Sequence, residues 1–257
     1  PGGRVEVVVR DRLVFCANTG VAFTKGGIDG ITSEYQGTKA YDDSKIGQFG
    51  LGFRSLVALS SSVDIFSNSV SFGFDLERNR QDIVALDLAL DTGVIAGPHG
   101  VPLFRLPVVR DIATARETDT DLDRLAEWAS TSVRFELHGD DARDDVLRQL
   151  EIADAQLLLF SPNLDRLSVR SDDLELEFAA DRGQRPLVRL SDAKGVAEWR
   201  VFQRNGYRPT EAAKLDAGDL VRRETLDISW AVPSPAKGDG EIWLFFPTQW
   251  ARSVKGI

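Results

Sequence analysis

Three glycines spaced G-x-x-G-x-G lie in the run Ile46-Gly47-Gln48-Phe49-Gly50-Leu51-Gly52-Phe53, with Lys45 immediately before it. Glycine reaches backbone conformations closed to other residues and lets a ligand approach the main chain closely. A helix starting near Phe53 would turn its free N–H groups and positive dipole end toward this loop, an arrangement that holds a polyphosphate. Gly47, Gly50 and Gly52 would then cradle phosphates through their N–H groups. Lys45 either neutralises phosphate charge or stands solvated. Gln48, Phe49 and Phe53 flank the loop, the two aromatics with core packing as the alternative role. Spacing of this kind also occurs in ordinary tight turns.

A second candidate lies upstream, where Leu13-Val14-Phe15-Cys16-Ala17 breaks into Asn18-Thr19-Gly20-Val21-Ala22-Phe23-Thr24. Taken together, the two stretches resemble the ATP-binding domain of the GHKL (Bergerat-fold) superfamily, which includes Hsp90 chaperones, DNA gyrase B, MutL and histidine kinases. Asn18 to Thr24 stands where Hsp90 proteins carry Asp-Thr-Gly-Ile-Gly-Met-Thr, and Ile46 to Phe53 matches their second glycine motif. Asp43-Ser44-Lys45 and Pro102-Leu103-Phe104-Arg105-Leu106-Pro107 look closest to the sacsin-type branch. The match is specific over 5–75 and looser beyond.

The resemblance implies ATP or ADP as ligand. Asn18 replaces the aspartate that accepts a hydrogen bond from the exocyclic amine of adenine. An amide oxygen can accept the same bond, more weakly than a charged acceptor; the alternative is that Asn18 only caps a turn. Gly20 lets the backbone approach the base, and Ala22 narrows that space. Thr24 bonds phosphate or caps the segment that follows. Thr131-Ser132 resembles the Gly-Thr pair that closes the phosphate pocket, with its glycine missing. Residues 25–45 correspond to the lid that folds over nucleotide, or to a surface loop with a short helix around 28–33.

The implied fold is α+β, a two-layer α/β sandwich of the Hsp90/gyrase B/histidine-kinase type over 1–160, followed by part of a strand-rich middle domain over 161–257. The pattern itself predicts a hairpin from Val5–Val9 and Leu13–Cys16 and a helix over Phe53–Ser60. Strands are predicted at Val63/Ile65 and at Val70/Phe72/Phe74, where apolar residues alternate with polar ones. A further strand is predicted around Leu86, Leu88, Leu90 and Val94, and Leu103–Val109 reads as extended. Helices are predicted at Asp121–Ser130 and Asp141–Ala155, with strands at Val133–Leu137 and Leu157–Phe160. Beyond Ser161-Pro162-Asn163 strands are predicted at 174–178, 187–190, 199–202, 226–230 and 242–246, with 233–240 as a hairpin loop.

The superfamily also uses an N-terminal helix whose glutamate activates water and whose asparagine holds Mg²⁺. No Glu-x-x-x-Asn run stands in for it, and Glu34 and Glu127 lie on the wrong side of the motifs. A 257-residue chain that begins at Pro1 and has no methionine is expected either to be a piece of a longer protein or to lack some residues along its length. Mg²⁺ is expected only with that helix, so ATP hydrolysis stays open and no catalytic residue is assigned.

With 31 basic and 40 acidic residues, the net charge of −9 argues against general nucleic-acid affinity, which needs a basic footprint. A lone Cys16 excludes an internal disulfide framework. His99 and His138 lack a metal-ligand constellation. No apolar run reaches transmembrane length and no signal-peptide pattern is present, so a cytoplasmic location is expected. Three functions remain: an Hsp90/sacsin-like ATPase with a chaperone-like or regulatory role and a client protein, downstream domains or a homodimer as partner; a nucleotide-binding pseudo-ATPase module of a larger bacterial protein, with a regulatory or defence role; and a DNA-transaction GHKL ATPase.

Overall fold

The computed structural model describes residues 2–32, 51–68, 70–86, 95, 100–208, 210–211, 225–235, 241–244 and 246–251. By internal contacts it divides into two units, one of residues 1–153 and 167–176 and one of 154–166 and 177–257.

The first unit is built on a sheet whose strands run β7-β1-β2-β6-β3-β4-β5. β1 (Gly3–Arg10) and β2 (Leu13–Asn18) form the expected hairpin, in register from Val5 opposite Asn18 to Arg10 opposite Leu13. Asp11 makes its turn with φ of 50°, the left-handed region that Asp tolerates better than most residues. β3 (Ser62–Ser67), β4 (Ser71–Asp75) and β6 (Thr131–Glu136) form where strands are expected, but β3 and β4 are buried on both faces and not half-buried. β5 is only Val108–Val109, and β7 spans Leu164–Arg170.

Both faces of this sheet are covered. On one, Val9, Val14, Val63, Ile65, Phe72, Phe74 and Phe135 form a core. Against it pack α1 (Lys25–Thr32), α2 (Leu51–Arg54) with its 3-10 extension Ser55–Ala58, and α6 (Asp140–Glu151), through Ile28, Ile31, Phe53, Leu56, Val146, Leu147 and Leu150. On the other face Val8, Phe15, Ala17 and Phe66 meet Ile112 and Ala115 of α4 (Ile112–Thr118) and Leu122 and Leu125 of α5 (Thr120–Ala126).

This second face also carries charge. Arg110 and Arg134 hold Asp64 at 2.6 and 2.8 Å, Arg134 and Arg10 reach Asp119, and Arg4 and Arg124 hold Glu6 at 2.8 and 2.7 Å. Asp119 also caps α5, accepting from the N–H groups of Asp121 and Leu122. Gly73 is required here: a Cβ on it would lie 2.3 Å from Asp64 Oδ1 and 2.7 Å from Arg110 Nε.

The second unit holds β8 (Glu175–Gln184), β9 (Leu187–Asp192), β10 (Gly195–Tyr207) and β11 (Leu226–Ser234), in the order β11-β10-β9-β8. Phe178, Ala180, Val188 and Leu190 bury one face. Arg182 ties the segment before β7 to this unit, donating to the carbonyls of Leu158, Ser161 and Leu164 and to Asp165. β12 (Glu241–Leu244) and β13 (Phe246–Ala251) pair separately. No described helix is long and apolar enough to cross a membrane.

The two-layer α/β sandwich is therefore not what the chain forms. Strand predominates over helix: the first unit's sheet alone runs through seven strands, and the second unit has a ladder of its own, β11-β10-β9-β8. In a two-layer sandwich one sheet face is solvated and reads as polar. Here α4 and α5 cover the second face, which explains why Val7, Val8 and Val9 are consecutive apolar residues and not an alternating pattern.

Local expectations are corrected as well. Leu157–Phe160 is not a strand: Ala155–Leu158 is a 3-10 turn capped by Asp154. Leu86 ends a helix, α3 (Leu76–Ala85), whose N-cap Asp75 accepts from Arg78 N–H; Leu88, Leu90 and Val94 lie outside the described residues. Leu103–Arg105 is a 3-10 turn in the stretch expected to be extended. The helix over Phe53–Ser60 is four α-helical residues and then a 3-10 turn.

Candidate functional site

Three polar residues close the ends of three adjacent strands. Asn18 on β2 pairs with Thr131 on β6, and Thr131 pairs with Ser67 on β3. Residues opposite one another in a ladder project to the same face, and alternation along β2 puts Asn18 on the face of Val14, which α1, α2 and α6 cover. Asn18 is half-buried, whereas Thr131 and Ser67 are buried.

The hydrogen bonds fix how these groups are oriented. Asn18 Oδ1 accepts from Gly20 N–H at 2.8 Å, which makes the Asn-Thr-Gly segment an Asx turn. Gly20 is held close: a Cβ on it would sit 2.8 Å from Asn18 Oδ1. Ser130 Oγ donates to the carbonyls of Asn18 and Gly20, and Ser130 N–H donates to Asn18 O. Thr131 Oγ1 contacts Ser67 Oγ at 3.2 Å, Phe23 N–H donates to Ser67 Oγ at 3.0 Å, and Ser67 Oγ donates to Ser130 O.

Thr24 caps α1, its hydroxyl accepting from Gly27 N–H at 3.2 Å. Phe53 packs on Phe104 with ring centroids 5.0 Å apart, inside the core. Gly52 lies within α2. At four residues, α2 carries little of the dipole that the phosphate argument invoked. Lys45, Gly47, Gln48, Phe49 and Gly50 lie outside the described residues, as does residues 33–45 of the expected lid.

The structure thus brings Asn18, Gly20 and Thr131 together, places Thr24 at the start of the neighbouring helix, and sets Phe53 in the core beneath. Sequence reasoning missed Ser67 and Ser130. The signal for Ser67 was parity: it continues the Val63, Ile65 series to the strand end. Nothing in the sequence announced Ser130, because its role depends on β6 lying beside β2.

Glu6, the first carboxylate of the chain, has a different environment. It points to the opposite face, since it pairs with Ala17 and not with Asn18. Its side chain is fully buried. Burial pushes its carboxyl upward, but the hydrogen bond and charge of Arg124, together with Arg170 and Arg4, outweigh this and hold it below the usual carboxylate range. Burial pushes the thiol of the half-buried Cys16 up, which disfavours the thiolate. Among the described residues no cluster of His, Cys, Asp or Glu is arranged to hold a metal ion.

Comparison with protein-family models yields no match, and no curated protein is significantly similar to the chain.

Proposed function

We propose that this chain is a purine-nucleotide-binding module, with the base met by the strand-end residues Asn18 and Thr131 and the phosphates met by the glycine-rich run that contains Gly47, Gly50 and Gly52. The observation that carries the reading is the register of Asn18 opposite Thr131, with Gly20 folded back onto Asn18. Two residues far apart in sequence, singled out by motif alone, share one face at one strand end. The face is the one on which α1 and α2 pack, and α2 begins where the glycine-rich run ends.

Glu6 takes no part in this site: it is buried and ion-paired on the opposite face of the sheet. Nucleotide-dependent lid closure with a chaperone-like or regulatory role is the use we propose for such a module within a larger protein.

The test is calorimetric titration of the full chain with purine nucleoside triphosphates and diphosphates, with and without Mg²⁺. Saturable binding that is lost on Gly50→Val supports the reading. Failure of every purine nucleotide to bind a folded, monodisperse sample would falsify it. Mg²⁺-dependent turnover in the same sample would extend the reading from binding to hydrolysis.

A further inference from the structure

We propose that β11 is a docking edge for an extended acidic segment of a partner protein, which adds to it as a further strand and lays its carboxylates beside Arg200 and Arg204. β11 has β10 as its neighbour on one side and stands at the end of the strand order on the other. Val201 N–H donates to Pro186 O at 2.8 Å, away from β11. Val201 and its partner Ala231 are therefore a non-hydrogen-bonded pair, and Ala231 turns its N–H and C=O outward. Ser229, two residues along, does the same. Pro233 shares that parity, which is where an edge strand tolerates a missing N–H.

Natural sheet edges carry guards such as inward charges, prolines or bulges, because open N–H and C=O groups recruit other strands. Asp227 and Pro233 flank Ile228-Ser229-Trp230-Ala231-Val232, which holds neither a charge nor a proline. Asp227 is already engaged, accepting from Gly206 N–H at 2.9 Å. The middle of β11 is thus an unguarded edge.

The side chains beside this edge set the chemistry of the partner. Buried Val188 and Leu190 pair with Trp199 and Ala197, so the alternate residues of β10 occupy the other face. On it Phe202 stands opposite Trp230, Arg200 opposite Val232 and Arg204 opposite Ile228. The rings of Phe202 and Trp230 stack with centroids 5.7 Å apart, and both residues are exposed, as is Ile228. Glu198, the acidic residue of this row, is paired with Arg189 at 2.9 Å. Arg204 lies over Tyr207, and neither Arg204 nor Arg200 meets a carboxylate among the described residues. In a chain of net charge −9 this is a local cationic and aromatic patch. A strand added to β11 lies about 5 Å from it and about 10 Å from β10, within the combined reach of a glutamate and an arginine. Main-chain bonds then supply affinity, apolar side chains cover the aromatics, and carboxylates meet the arginines. A second copy of β11 brings no carboxylate to that face and would leave the arginines unpaired.

Fluorescence anisotropy of labelled nine-residue peptides, matched in length to β11, tests this against the full chain. A peptide of alternating Val and Glu is expected to bind saturably and at least about tenfold more tightly than one of alternating Val and Lys. Ala231→Pro removes an outward N–H, leaves the aromatic and arginine face in place, and should weaken the Val/Glu peptide about tenfold. The double variant Arg200→Glu with Arg204→Glu should reverse the preference toward the Val/Lys peptide, which a merely damaged edge would not do. Circular dichroism and thermal melting verify that each variant is folded. Equal binding of the two peptides, or no binding of the Val/Glu peptide to the folded chain, refutes the proposal. If a thymine oligonucleotide binds instead and is lost in the double variant, the patch serves single-stranded nucleic acid and the proposal is overturned. If neither peptide binds and light scattering shows a dimer that Ala231→Pro dissociates, the edge belongs to a second copy, which overturns it as well.

Discussion

Replacing Glu6 with glutamine should be among the most costly single-atom changes in this chain. The carboxylate is completely buried, with Arg4 Nη2 2.8 Å from one oxygen, Arg124 Nη2 2.7 Å from the other and Arg170 Nη1 at 4.0 Å. Glutamine keeps the shape, loses the charge and turns one oxygen into an N–H donor that faces a guanidinium. Removing one partner of a buried ion pair costs about 3–5 kcal/mol when the other charge stays buried. Here Arg4, Arg124 and Arg170 keep 36%, 36% and 41% of their side-chain surface exposed, so they can turn to water. That lowers the expected loss to roughly 2–3 kcal/mol, the scale of one to two hydrogen bonds to charged groups. Against a typical domain stability of about 5–15 kcal/mol the shift is easily seen.

Urea unfolding of parent and variant, followed by circular dichroism, reads this difference. Its pH dependence gives a second check. The carboxyl of Glu6 is held below its ordinary range. Its stabilisation is therefore complete above the unfolded-state pKa and is lost as pH falls through the folded-state pKa. The gap between parent and Glu6→Gln should stay constant from neutral pH down to the ordinary glutamate range and close at lower pH. A variant as stable as the parent at neutral pH, or a gap that widens on acidification, would refute the reasoning.

Gly73→Ala should cost about 2–4 kcal/mol, because its new Cβ drives into the Asp64–Arg110 pair; a thermal melt within a degree of the parent would count against it. Asp119→Ala removes both the α5 cap and the carboxylate shared by Arg10 and Arg134, with an expected loss of about 2–4 kcal/mol in urea unfolding. Asp119→Asn, which keeps an acceptor for the cap, should recover part of that loss. Phe74→Ala opens a cavity between Phe72 and Phe104 and should cost about 3–5 kcal/mol; a loss below about 1 kcal/mol would mean the core there collapses freely.

Sequence alone determined what depends on near neighbours. The hairpin of β1 and β2, the strands β3, β4 and β6, and the helices α5 and α6 are all written in periodicity and turn residues, which act over a few positions. Asn18, Gly20 and Thr24 could be singled out for the same reason, since an Asx turn and a helix cap are local devices. Tertiary structure decided the rest. Whether a sheet face meets water or helices depends on where α4 and α5 pack, so the second covered face, and with it the departure from a two-layer sandwich, could not be read from β1 alone. Leu157 to Leu159 are as apolar as any strand, but Asp154 caps a 3-10 turn there. Likewise the polarity of the site is not in the motif: Asn18 can offer an oxygen or an N–H, and Thr131 a proton or a lone pair. Only the register that sets β2, β6 and β3 side by side, with Gly20, Ser67 and Phe23 as partners, decides which of these each residue offers.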